Sequence, residues 1–190
     1  ELMFNKYSQP HYLPYLLYGL NTAYQIWPEN EFYNIYRKPY DTLIPKLFNG
    51  NYKIKAINRA LPEVPINIIK PELINTYKKD SNFIIRKLLQ RNDVSNWKPL
   101  APIQMCYCEA DEEVLYENAI LTKKNMIDLG AKNVTARSAG KKYGHGKCAG
   151  FSTLYTKYYF DTFKKGKTTT GNKGAFFKRC SLSLYKIFDN

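Results

Sequence analysis

Residues 103–151 read IQMCYCEADEEVLYENAILTKKNMIDLGAKNVTARSAGKKYGHGKCAGF, and this stretch decides the fold. Ile103 to Cys108 is a compact apolar run of strand length, expected to be buried on both faces. It runs into acids: Glu109, Asp111, Glu112 and Glu113. Over 114–129, the residues Val114, Ala119, Ile120, Met126, Ile127 and Leu129 fit one face of a 3.6-residue period, and Gly130 is placed to stop that helix. A second short strand is expected over 134–138 (VTARS), then a glycine-rich turn over 139–150 and an aromatic helix over 151–164. Strand, helix, strand and helix in this order is an α/β pattern.

In an open α/β sheet, catalytic groups gather beyond the carboxyl ends of the strands. Asp111 lies just past the first expected strand and His145 in the turn after the second, so the two side chains converge although 34 positions apart. A carboxylate that holds an imidazole in one tautomer, and stabilises its protonated form, makes it a competent base toward a serine hydroxyl. Glu109, Glu112 and Glu113 compete with Asp111 for the orienting role. They read more simply as solvated acids of the following helix's first turn, where the helix dipole favours them.

From Asn92 to Phe160 the residues resemble the C-terminal half of an α/β-hydrolase, closest in flavour to the secreted lipase, esterase and prolyl-oligopeptidase-like branch. Asp111 and Val114 match that family's D-x-x-V-P-x-x-N-A type segment, with Leu115 where Pro is commoner and Asn118-Ala119 retained. Gly130-Ala131, Asn133 and Val134 match the Gly-Ala end of the next helix, and His145-Gly146 with Ala149 match its H-G-x-x-A type segment. The resemblance implies a partial α/β-hydrolase fold over 100–165, the last strands and helices of the sheet, preceded by a mostly helical cap or insertion over 1–99. It implies Asp111 and His145 as the acid and base of a Ser-Asp-His triad, acting on an ester or a peptide bond. No metal or organic cofactor is implied.

The serine of that fold belongs on an upstream G-x-S-x-G elbow. No such elbow exists here: none of Ser8, Ser81, Ser95, Ser138 and Ser152 is bracketed by glycines two residues away on both sides. The numbering begins at Glu1, the first methionine is Met3, and the start has neither the basic segment nor the small-residue cleavage site of a signal peptide. The expectation is that elbow, oxyanion hole and early strands belong to an N-terminal part outside this chain, without which it hydrolyses nothing.

Elsewhere the sequence is plainer. Prolines cut 1–99 into short pieces, with helices expected over 12–26 and over 71–90, the latter broken near Asp80–Ser81. The aromatics of 1–40 either line a substrate cleft or pack between short helices. No apolar run approaches the ~18 residues of a membrane span. The formal charge of +13 lies mainly in 51–100 (ten basic and four acidic groups) and 151–190 (eight and two), while 101–150 carries seven and six. A nucleic-acid partner is disfavoured because the Lys and Arg are not gathered on one element with aromatic readers between them.

The tail over 166–190 reads as a basic linker. It sustains one alternative, a non-catalytic hydrolase-like module whose tail contacts polyanions. Cys106, Cys108, Cys148 and Cys180 are too few and too clustered for a disulfide scaffold; Cys106 and Cys108 read as small buried hydrophobes. A Cys₃His zinc site with His145 lacks paired knuckles, and Cys148 as nucleophile lacks an elbow. Gly166-Lys167-Thr168 imitates the end of a phosphate loop, but Asp161 stands where its first glycine belongs. Compartment is unmarked, with secreted or envelope-associated enzymes favoured by the resemblance alone.

Overall fold

The computed structural model describes residues 2–164 of the 190-residue chain. They divide between Asp93 and Val94 into two units with separate cores. The basic tail over 166–190, on which the alternative of a polyanion contact rests, and with it Gly166-Lys167-Thr168 and Cys180, lie outside the described residues. Among the described residues no helix is long and apolar enough to cross a membrane.

Prolines govern the first unit. Its helices α1 (Tyr12–Tyr24), α2 (Glu29–Phe32), α3 (Tyr40–Leu47), α4 (Ile54–Ala60), α5 (Pro71–Lys79) and α6 (Ile84–Arg91) are short, with 3-10 turns at Leu2–Phe4, Tyr33–Ile35 and Pro65–Ile68. Pro14 is tolerated in α1 because it sits in the first turn, where a backbone N–H has no intrahelical acceptor. Leu13, Leu17 and Leu20 recur at helical spacing and are buried against Ile44, Ile57 and Ile85. Gln25 ends the helix in the left-handed region (φ 50°), and the Asn21 Oδ1 accepts the Trp27 N–H at 2.8 Å, turning the chain into Pro28. The expected break between α5 and α6 falls at Asp80, whose Oδ1 accepts the Asn82 N–H at 2.8 Å. Of the aromatics, Tyr7, Phe32 and Tyr36 are core, whereas Tyr12, Tyr15 and Tyr18 stand exposed along α1.

Tyr36 is wholly buried, and its hydroxyl has no hydrogen-bond partner among the described residues. Burial accordingly pushes its phenol well above the usual range. An orphaned buried hydroxyl costs about 1–3 kcal/mol. Tyr36→Phe is therefore expected to raise the thermal unfolding midpoint; a fall would mean that the hydroxyl is bonded after all.

The second unit contains β1 (Ile103–Cys108), α7 (Glu117–Asp128), β2 (Val134–Gly140) and α8 (His145–Phe163). The strands are parallel, a pairing that requires a crossover, and α7 provides it. Ile103 lies opposite Val134 and Tyr107 opposite Ser138; the register then skips Ala139 and sets Cys108 against Gly140. Met126 of α7 packs with Ala131, Val134, Ile103 and Met105. Gly130 stops α7 with φ at 86°, a conformation that costs any residue with a Cβ. Phe151 and Tyr155 of α8 are buried with Cys108, Ala139 and Tyr143. The Tyr143 ring stacks on Phe151 at 4.5 Å and occupies the space that a Cβ on Gly140 would need.

Three expectations for this unit are corrected. Five of the six β1 residues are only half-buried, because among the described residues β1 pairs along one edge alone. The first helix begins at Glu117 and not at 114, since Asp111 draws the chain into a tight turn before it. The last helix begins at His145, inside the expected glycine-rich turn.

The cysteines are also corrected. Cys108 is joined to Cys148 in a disulfide, their Cα atoms 5.8 Å apart, and is not an independent buried hydrophobe. Strand alternation sets Cys106 and Cys108 on one side but does not say what faces them, and what faces Cys108 is the first turn of α8. Closing a loop between positions 40 apart stabilises the fold by about 4 kcal/mol in the chain-entropy account.

Candidate active site

Asp111 lies three residues beyond the end of β1 and is fixed by its own backbone turn. Its Oδ1 accepts the N–H of Glu113 and the N–H of Val114, each at 2.9 Å, in an Asx-type turn that aims the carboxylate away from the strand. His145 opens α8 immediately after Gly144, whose extended backbone marks the helix start. Its Nδ1 lies 3.1 Å from both Asp111 oxygens. The two residues singled out in the sequence are thus brought together, at the carboxyl end of the β1–β2 pair.

The surroundings determine which proton goes where. Burial acts on Asp111 to raise its carboxyl, but the two backbone N–H groups and His145 together outweigh it and hold the group below its ordinary value. An ionised Asp111 has no proton to give, so the Nδ1–H of His145 is the donor. Nε2 is then left as the basic lone pair, on a side chain 41% exposed. Among the described residues no serine hydroxyl reaches that ring; Ser152 instead donates to the Cys148 sulfur at 3.5 Å.

Glu112 and Glu113 do more than interact with a dipole, which corrects their reading as solvated first-turn groups of the helix that follows them, α7. The Glu112 Oε2 accepts the backbone N–H of His145 at 3.0 Å and so caps α8 from a different segment of chain. Glycine at 144 leaves room for this approach; a Cβ there would come within 2.7 Å of that oxygen, and the carboxylate would have to shift. The Glu113 Oε2 stands 3.8 Å from Nε2, too far for a hydrogen bond but close enough to stabilise an imidazolium formed there. Glu109 is exposed. Asp111, Glu112 and Glu113 therefore face three different atoms of His145, which spacing alone could not have revealed. Because the disulfide takes the sulfurs of Cys108 and Cys148, neither is available to a Cys₃His site or as a nucleophile.

Two consequences can be measured. Glu112→Ala removes the cap of α8 and is expected to cost about 0.5–2 kcal/mol in thermal or urea unfolding. Asp111 contributes stability because its carboxyl is lower in the folded than in the unfolded chain; that contribution is complete above the unfolded value and is lost as pH falls through the folded one. The melting temperature should fall with acidification below about pH 4, and less steeply in Asp111→Asn. An unchanged acid limb in that variant would contradict the assignment.

No family model matches the sequence, and no curated protein matches it. Solved structures do. Over 85% of its residues the chain is similar to a provisionally assigned hydrolase of Legionella pneumophila, with a TM-score of 0.73 and 26% identity. Over 74% it is similar to the ligand-bound form of LipA, the rice cell wall degrading esterase of Xanthomonas oryzae, with a TM-score of 0.57 and 19% identity. Over 79% it is similar to LipA in another crystal structure, with a TM-score of 0.57 and 18% identity. The fold is hydrolase-like, a mixture of helices with a small parallel sheet. The chain spans 43% of the Legionella protein and 36% to 38% of LipA, less than half of each.

Proposed function

We propose that this chain supplies the acid and the base of a serine ester hydrolase whose nucleophile is furnished by polypeptide outside these 190 residues. What carries the reading is the bidentate approach of the Asp111 carboxylate to the His145 Nδ1, both oxygens at 3.1 Å, beyond the carboxyl end of a parallel strand. In the proposed reaction an incoming serine hydroxyl gives its proton to Nε2 as its oxygen attacks the ester carbonyl. Asp111 holds the ring in the tautomer that leaves Nε2 free, and with Glu113 stabilises the imidazolium. His145 then returns the proton to the departing alkoxide, and a water molecule repeats the sequence to release the acid.

Residues 1–99 are assigned to a cap. Support comes from its own packing: Leu13, Leu17, Ile74, Phe83 and other apolar residues line a pocket of about 230 Å³, chemically suited to a hydrocarbon chain. The esterase activity of LipA favours an ester over a peptide as substrate. The Cys108–Cys148 disulfide fits an oxidising compartment, in keeping with a secreted or envelope-associated enzyme.

The nucleophile is tested by treating the whole polypeptide with a fluorophosphonate and locating the modified residue by mass spectrometry. A labelled serine on a G-x-S-x-G segment outside these 190 residues, unlabelled in His145→Ala, is the expected result. Labelling that survives His145→Ala would overturn the assignment of the base.

A further inference from the structure

The disulfide and the Asp–His pair share a geometry that the proposed reaction does not itself require. Cys108 precedes Asp111 by three residues, and Cys148 follows His145 by three, one turn along α8. Two short arms of equal length thus leave the cross-link and meet at the Asp111–His145 contact. One runs from the last residue of β1 through the turn in which the Cys108 carbonyl accepts the Asp111 N–H at 3.4 Å. The other is the first turn of α8, closed by the Cys148 N–H donating to the Gly144 carbonyl at 2.9 Å.

That turn is a poor helix on its own. Gly146 and Gly150 fall within it and just beyond it, and nothing in the structure lies where a Cβ on either would be, so neither glycine is required by close packing. Among the ties that hold the helix start from outside are the Asp111 carboxylate on the His145 ring, the Glu112 carboxylate on the His145 N–H and the Cys108 sulfur on Cys148. The last of these is covalent. The cross-link is itself anchored: Cys108 is wholly buried and Cys148 is 5% exposed, among Ala139, Tyr143, Phe151 and Tyr155.

We infer that the Cys108–Cys148 disulfide is a positioning element of the catalytic pair, holding His145 against Asp111 so that the pair is complete only in the oxidised chain. The inference rests on the function proposed above and assigns the two sulfurs no chemistry in turnover. Reduction by a dithiol, which becomes its cyclic disulfide while the protein bond takes up two electrons and two protons, frees the start of α8 from the end of β1. The imidazole then loses its fixed bearing on the carboxylate, and a misplacement on the order of 1 Å is enough to cost about 10²-fold in rate.

The test compares the oxidised whole polypeptide with Cys108→Ala/Cys148→Ala, using a soluble p-nitrophenyl ester and proton NMR of histidine-labelled protein. The low-field Nδ1–H resonance of His145 is assigned by its absence in His145→Gln. Expected is a fall in kcat of about 10²-fold with KM changed less than about threefold, together with loss of that resonance, while circular dichroism remains that of a folded chain. A kcat within about twofold of the parent, with the resonance intact, overturns the inference; so does a loss carried by KM with the resonance intact. Should the double variant not fold, the same readouts are taken on native protein reduced in the cold, below its melting temperature. Failure of the underlying function shows separately, as full esterase activity in oxidised His145→Ala, and the NMR arm still decides whether the disulfide positions the ring.

Discussion

Asp111→Asn in the whole polypeptide is expected to lower kcat for a soluble ester by about 10⁴-fold, with little change in KM. The amide is nearly isosteric with the carboxylate, so the Asx-type turn to Glu113 and Val114 can survive through the remaining carbonyl oxygen. What changes is the proton inventory. That oxygen already serves two backbone N–H groups, which turns the amide NH₂ toward the His145 Nδ1. Nδ1 then becomes the acceptor and the ring proton moves to Nε2, the atom that must be basic to take the serine proton. The imidazolium would also lose the negative charge beside it. A variant with kcat within tenfold of the parent would mean that Asp111 is structural and that Glu112 or Glu113 orients the ring. Circular dichroism and the melting profile distinguish that from misfolding.

Loss of the Cys108–Cys148 bond is expected to have the largest effect on stability. The loop-closure contribution of about 4 kcal/mol corresponds to a fall in the melting temperature of the second unit of about 16 to 32 °C, as for a domain of roughly 60 to 100 residues. Partners in the same cluster compound it, because Tyr143, Phe151 and Tyr155 pack around the sulfurs and close on the cross-link. Melts of the oxidised protein with and without a reductant give the number directly. Equal melting temperatures would mean that the packing of α8 on β1 and β2 suffices alone. The first unit, which contains no cysteine, should unfold at the same temperature under either condition.

Much of the second unit was legible because local and tertiary signals agree there. The apolar run ending at Cys108, the stop at Gly130 and the second strand at Val134 each announce themselves, and the order of acid and histidine follows from where strands end. Illegible features all depended on two distant segments meeting. Gly144, Gly146 and Gly150 argue for a turn by propensity, yet α8 starts at His145 because Glu112 and Cys108 hold its first residues from outside. Cys108 inside an apolar strand looks like any small buried residue. The half-buried faces of β1 likewise escaped a reading in which a continuous apolar run means burial on both sides. In the first unit, proline spacing conveyed shortness but not which pieces are helical: α3 contains Pro45, and only its buried Ile44 and Leu47 against α1 explain why it persists.

In the proposed enzyme His145, oriented by Asp111, is the general base of ester hydrolysis. The most direct measurement is the steady-state hydrolysis of a p-nitrophenyl ester by the whole oxidised polypeptide and by its His145→Ala variant. We predict that the variant loses turnover by about 10⁴-fold or more while remaining folded. Undiminished hydrolysis by folded His145→Ala would contradict it.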